Sequence, residues 1–260
     1  MFIDTHAHIY AEEFNEDREA VVERAREADV QRIVLPDIDQ TTRPAMLRLA
    51  KQYPETMLLL LGVHPTSVNS TFKEEMQAFE KLLGKFPIHG IGECGIDLYW
   101  DKTYFKEQQQ VFERQLHVAR EMDIPVIIHS RESLSEIFAI LKRQHYNMKG
   151  ILHCFPGNTE DARRAIDLGF LLGIGGVVTF KKSLMADVVR EIGTDHLVLE
   201  TDAPYLTPVP HRGKRNESSY IQCIAAKIAE IVGVETKKIE VTTTNKAMNL
   251  FNLRSERCGG

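Results

Sequence analysis

His6 and His8 stand one residue apart at the end of an apolar opening, Phe2-Ile3-Asp4-Thr5. Successive side chains of an extended chain point to opposite faces, so the two imidazoles share a face and can converge on one metal ion. Four later apolar runs also end in a side chain that binds divalent cations: Glu93, His129, His153 and Asp202. Imidazole nitrogens and carboxylate oxygens form open catalytic sites, in which few protein ligands per ion leave room for water. The chemistry of such a set is hydrolysis, on condition that the fold brings the six side chains together.

The elements that would do so are legible as short apolar runs alternating with segments of helical period. The pattern predicts strands over Phe2–His6, Arg32–Leu35, Met57–Gly62, His89–Glu93, Val126–His129, Gly150–His153, Phe170–Gly173 and His196–Glu200. It predicts helices over Glu16–Ala28, Arg43–Gln52, Phe72–Leu83, Gln108–Met122, Leu134–His145, Glu160–Leu168, Leu184–Ile192 and Ser219–Ile231. Runs rich in Val, Ile and Leu without polar alternation suit parallel strands buried on both faces, and eight strand–helix repeats in 260 residues are what an α/β fold of the (β/α)8 TIM-barrel type requires. An open doubly wound sheet competes, but it would not easily recruit side chains from its first and last strands together. The barrel is expected as a single domain over residues 1–253. Lys237–Phe251 adds a C-terminal helix that covers its outside or bottom, and 254–260 is a tail.

Ligands gather at the carboxyl ends of barrel strands. His6, His8 and Asp202 are therefore assigned to one ion, because strand eight lies beside strand one in a closed barrel. His129 and His153 are assigned to a second ion, with Glu93 bridging the two. Glu93 lies in Gly90-Ile91-Gly92-Glu93-Cys94-Gly95-Ile96-Asp97, where glycines allow close crowding at the strand end. Taken alone, Asp202 before Ala-Pro reads as a turn or cap aspartate. His64, in Gly62-Val63-His64-Pro65, lies at the mouth as a substrate or supporting residue. Cys94 and Cys154 follow ligands directly, and alternation turns both toward the core.

Basic residues near the mouth suit a phosphate. Arg131 stands two residues past His129, where its guanidinium can grip phosphate in bidentate fashion. The proline-stiffened loop after the eighth strand carries Tyr205, His211, Arg212, Lys214 and Arg215, all expected to bind substrate. Tyr99, Trp100, Phe155 and Tyr205 sit in strand-end loops; such aromatics can stack bases, though most cap a core.

Composition narrows the class. The chain is 43% hydrophobic, which fills a large core, and its formal charge of -5 argues against bulk adhesion to nucleic acid or anionic lipid. No opening signal segment or membrane-length apolar run is evident, so a cytoplasmic monomer without a membrane partner is expected. The four cysteines, Cys94, Cys154, Cys223 and Cys258, lie far apart with no Cys-x-x-Cys pair, which fits a reducing compartment.

Asp4-Thr5-His6-Ala7-His8, Gly92-Glu93-Cys94-Gly95-Ile96-Asp97, Ile128-His129-Ser130-Arg131, His153-Cys154-Phe155, Glu200-Thr201-Asp202-Ala203-Pro204-Tyr205-Leu206 and Arg212-Gly213-Lys214-Arg215-Asn216 together resemble the TatD family of metal-dependent deoxyribonucleases, from residue 2 to about residue 253. The resemblance implies a TIM barrel of the amidohydrolase type with metal ligands at His6, His8, Glu93, His129, His153 and Asp202. It also implies phosphodiester hydrolysis, as in a 3′ to 5′ exonuclease acting on single-stranded DNA or another nucleic-acid end. Cys94, Pro156 and Ser218 depart from the family's usual residues, and Pro156 bears on substrate preference through the loop beside His153. Glu93, Asp202 and Arg131 take the catalytic roles: bridge, general base and phosphate clamp. The cofactors are two divalent ions, Mg2+, Zn2+ or Mn2+; imidazoles favour the softer ions, and phosphate chemistry with the family favours magnesium. The rival enzyme reading is an amidohydrolase-type esterase or deacylase, including a D-aminoacyl-tRNA deacylase. A barrel that binds without turnover predicts damaged ligand positions, and all six are present.

Overall fold

The computed structural model describes residues 1–144 and 147–253. The predicted end of the fifth helix at His145, the tail 254–260 and Cys258 lie outside the described residues. In chain order the elements are β1 (Phe2–Asp4), α1 (Arg18–Glu27), β2 (Val30–Leu35), α2 (Arg43–Gln52), β3 (Met57–Leu61), α3 (Phe72–Glu80), β4 (Gly90–Asp97), α4 (Phe105–Met122), β5 (Val126–Arg131) and α5 (Leu134–Arg143). There follow β6 (Gly150–Leu152), α6 (Thr159–Asp167), β7 (Phe170–Ile174), α7 (Met185–Ile192), β8 (Leu197–Leu199), α8 (Ile221–Val232) and α9 (Thr236–Leu250). The eight strands form one sheet in the order β1 to β8, each parallel to the next.

The sheet curls into a barrel because its ends meet. The Thr5 amide donates to the Leu199 carbonyl at 3.0 Å, and Ala7 forms a parallel bridge with Ala203. This seam lies beyond the formal ends of β1 and β8, so the barrel closes at its mouth. Two apolar layers fill the fold. Ile3, Val34, Leu58, Leu60, Ile127, Ile151 and Val198, drawn from strands all around the sheet, pack together and must therefore point inward. The outward faces pack against α1–α8 in the larger layer.

The final helix has a definite place. Ala247, Leu250 and Phe251 of α9 and its end join the inward-facing cluster. Thr244 donates to the Met1 carbonyl at 2.9 Å, and Glu240 pairs with the Met1 amine at 2.5 Å. Both contacts lie at the amino end of β1, so α9 stoppers the barrel at the end opposite His6 and His8.

Strand bounds differ most at β4. The predicted strand stops at Glu93, whereas β4 runs on to Asp97. Gly95 pairs with His129 and Asp97 with Arg131, which places Glu93 and His129 within strands and not at their tips. The polar residues there point into the barrel mouth, so polarity did not mark the strand's end. Conversely, β1 and β8 stop short of His6 and Glu200 because the chain bends into the seam.

Phe251 is 5% exposed and seals the bottom layer. Replacing it with alanine leaves a cavity, at a cost of about 3 kcal/mol or more. Thermal unfolding followed by circular dichroism should show a melting temperature lower by roughly 6–12 °C; an unchanged value would mean that α9 contributes no stopper.

Candidate metal centre

Past β1 the chain stays extended, and the Nε2 atoms of His6 and His8 meet 3.2 Å apart. Asp202 is set against them by the seam: its amide donates to the His6 carbonyl at 2.9 Å, and the His8 amide donates to the Ala203 carbonyl at 2.7 Å. Its Oδ1 lies 3.8 Å from His6 Nε2 and 3.6 Å from His8 Nε2. Glu93 reaches in from β4 and divides its two oxygens. Oε2 is 3.1 Å from His6 Nε2 and 3.7 Å from His8 Nε2. Oε1 is 2.8 Å from His129 Nδ1, 3.5 Å from His153 Nε2 and 3.4 Å from His64 Nε2.

The backbone around Glu93 is tightly framed. The Gly92–Glu93 peptide is cis; the Glu93 amide donates to the Asp37 carbonyl and the Asp37 amide to the Gly92 carbonyl, both at 3.0 Å. Gly62 packs so closely that a Cβ there would lie 2.7 Å from the Gly92 carbonyl carbon. The buried Asp37 carboxylate accepts from Arg43 Nε at 2.6 Å and from the Gly62 amide at 3.1 Å, and Arg43 also reaches Glu75 at 3.2 Å. Burial pushes the Asp37 carboxyl up to about 7 against the pull of Arg43.

Hydrogen-bond partners outside the cluster decide which nitrogens face it as lone pairs. Tyr10 donates its hydroxyl proton to the Pro36 carbonyl at 2.5 Å, so it accepts from His8 Nδ1 at 3.0 Å. That fixes the His8 proton on Nδ1 and leaves Nε2 a ligand atom. His153 Nδ1 lies 3.2 Å from Glu200 Oε1, which holds a proton on that nitrogen, while Nε2 faces Glu93 Oε1 and becomes a ligand atom when a cation displaces its proton. His64 is the reverse: its Nδ1 accepts from the Thr66 amide at 3.1 Å, so Nε2 carries the proton. His129 is held between Glu93 and Asp97, its Nε2 lying 2.9 Å from Asp97 Oδ2. The His6 and His8 imidazoles with the Glu93 and Asp202 carboxylates, within a few ångströms of one another, are a donor set for a divalent cation, and these residues fit one.

Charge keeps the carboxylates of the cluster ionised. Desolvation works against the Glu93 carboxylate, yet His6, His64, His153 and the bond to His129 hold it well below the usual carboxylate range. Asp202 is lowered in the same way, by His8, His153 and His6 against its burial. Burial keeps His6 and His64 below the ordinary imidazole value. It opposes charge on His153 too, but Glu200, Glu93 and Asp202 outweigh it and raise that imidazole to about 10.

All six expected ligands therefore meet, with Glu93 Oε2 toward His6 and His8 and Oε1 toward His129 and His153. His153 also lies with His6 and Asp202, and His129 with Glu93 and His64. The ring centres of His129 and His153 are 6.3 Å apart, while His153 stacks on His6 at 3.6 Å. Arg131, His64 and Tyr205 line the same cleft, of about 730 Å³. The basic loop does not. His211, Lys214 and Arg215 line a separate groove against α1 and α8. There Arg215 is bidentate to Asp17 at 2.8 Å and covers Phe14, His211 stacks on Tyr220 at 4.0 Å, and Arg212 covers Phe180. Arginine forks and flat rings found protein partners before any phosphate. Cys94 is buried as expected, but Cys154 takes a positive φ of 42° and lines the cleft. Sequence reasoning gave no role to Asp97, Glu200 or Tyr10. The first two stand inside quoted motifs, close to a ligand, and Tyr10 two residues past His8 continues the alternation that marked the pair.

A family model described as TatD related DNase matches residues 3–252. The uncharacterized metal-dependent hydrolase YabD of Bacillus subtilis is 38% identical, the match covering 97% of this chain and 100% of that protein. The 3'-5' ssDNA/RNA exonuclease TatD of Erwinia tasmaniensis is 30% identical over 96% of this chain and 99% of that one. The crystal structure of YjjV, a TatD homologue from Escherichia coli K12, superposes with a TM-score of 0.87 at 31% identity, covering 97% of this chain and 98% of YjjV. The chain belongs to the TatD family of metal-dependent hydrolases, and its fold is that family's TIM barrel.

Glu200 Oε1 also accepts from the Cys154 amide at 2.5 Å, and it fits only because position 173 is glycine: a Cβ there would lie 2.2 Å from Glu200 Oε2. Glu200→Gln should weaken binding of a divalent ion by about 10- to 100-fold, as loss of a carboxylate behind a ligating histidine does. Calorimetric titration with Mn2+ measures it, and unchanged affinity would remove Glu200 from the centre.

Proposed function

We propose that this member of the TatD family hydrolyses phosphodiester bonds in nucleic acid, acting on single-stranded DNA from its 3′ end. The observation that carries the reading is the convergence of His6, His8, Glu93 and Asp202 at a cleft that Arg131 also lines. The Erwinia relative's name, a 3'-5' ssDNA/RNA exonuclease, supports the choice of substrate.

His6, His8, Glu93 and Asp202 would hold one ion, with His153 beside them; Glu93 and His129 would contribute to a second. When bound, such ions supply Lewis acidity toward phosphoryl oxygens and acidify water. The imidazole-rich set suits Zn2+ or Mn2+ better than Mg2+. Asp202, held ionised at the rim with its side chain 14% exposed, takes the proton of the attacking water as general base. Arg131, exposed at the end of β5, pairs with the phosphate in bidentate fashion. His64 offers the proton on Nε2 as a hydrogen-bond donor to a phosphoryl oxygen. The P–O bond breaks as the water oxygen joins phosphorus.

Turnover of end-labelled single strands across a metal series is the direct test, with an ester and an amide substrate in parallel. Chelation should stop strand cleavage and Mn2+ or Mg2+ should restore it, while Glu93→Ala should reduce it to background with the fold intact. Faster turnover of the ester or amide than of the strand would replace this reading with a deacylase.

A further inference from the structure

Three aromatic side chains stand unusually exposed at or near the metal cleft: Trp100 at 68%, Tyr205 at 51% and Tyr99 at 50%. Phe155, in another strand-end loop, is buried and does cap the core. Trp100 covers no core, so burial does not explain it.

Its surroundings are ordered. Tyr99 and Trp100 sit edge to face, their ring centres 4.9 Å apart and their planes at 85°. The Arg131 guanidinium carbon lies 3.9 Å from the Tyr99 ring centre and 5.1 Å from that of Trp100. Arg131 therefore covers Tyr99, while Trp100 stays largely open. The backbone beneath is pinned by Asp97, whose Oδ1 accepts from the amides of Tyr99 at 2.9 Å and Trp100 at 3.2 Å. The other oxygen of the same carboxylate holds His129. One side chain thus registers the aromatic pair to the centre, and Trp100, Arg131 and His129 all line the cleft.

We infer that Trp100, braced by Tyr99 and Arg131, is a stacking platform for a nucleobase of the strand whose phosphate Arg131 grips. This rests on the proposed phosphodiester substrate and deepens it. Every base offers a π-face, so the platform is tolerant of sequence; within a duplex the bases are already stacked and paired, so it selects single strands. An aromatic face cannot sense the 2′-hydroxyl, so it serves DNA and RNA alike.

Trp100 is the chain's single tryptophan, so its fluorescence reports on the platform directly. The metal-loaded wild-type protein is titrated with a short phosphorothioate oligothymidylate, which resists cleavage, and with an abasic strand of equal length and charge. The base-bearing strand should quench the emission to saturation and bind about 10-fold more tightly than the abasic one. Trp100→Ala should lose about that factor in affinity for the base-bearing strand, and Trp100→Phe should recover most of it, both with unchanged circular dichroism. Equal quenching and affinity for the two strands, or full affinity in Trp100→Ala, overturns the platform. Quenching by a strand whose unmodified form is not cleaved upholds the platform and overturns the nuclease reading; cleavage without quenching does the reverse.

Discussion

Everything at the mouth of this barrel depends on the seam between the tips of β1 and β8. Three backbone hydrogen bonds there, Thr5–Leu199, Asp202–His6 and His8–Ala203, join residues that the sequence separates almost completely. Behind them the buried Asp4 carboxylate accepts from the Thr201 amide at 2.9 Å and its hydroxyl at 2.6 Å. Were the sheet open, His6 and His8 would lie at one edge and Asp202 at the other. Each bond is worth only about 1 kcal/mol net, so the seam sets geometry more than stability. Stability comes from the apolar layers, chiefly the larger one between the strands and the surrounding helices, with the inward layer and its stopper helix adding to it.

A second constraint is protonic. A buried cluster of imidazoles and carboxylates is costly unless each polar atom has a partner. Here partners are supplied from behind for four of the rings, Tyr10 for His8, Glu200 at ion-pair distance for His153, Thr66 for His64 and Asp97 for His129, while His6 Nδ1 is buried with no hydrogen-bond partner among the described residues. These choices turn the lone pair of His8 and the proton of His64 inward. The same ring type thus serves as ligand or as donor according to what touches its far nitrogen.

How much of this could be read from sequence varies by residue. The spacing of His6 and His8 was decisive because extended chain has a period of two, and α2 matches the predicted Arg43–Gln52 because its period and its ends were both marked. Pairings across the fold were not legible. That His153 would stack on His6 and leave His129 to Asp97 depends on barrel register, which no local spacing encodes. The placement of His211, Arg212 and Arg215 was not legible for a related reason: a charge in a mouth loop has no direction until its partners, Asp17, Phe14, Tyr220 and Phe180, are known. Glu200 and Asp97 were visible as letters, but a residue that acts through a ligand looks in sequence like any other acid.

The divided carboxylate of Asp97 carries one more consequence. A cation that draws on His129 alters what Oδ2 holds, and the amides clasped by Oδ1 belong to the loop at the rim. Linkage then runs both ways: whatever factor ion loading adds to the hold on a strand, the strand must return to the hold on the ion. On the proposed reading, an apparent metal affinity for this protein would accordingly be a function of how much strand is present.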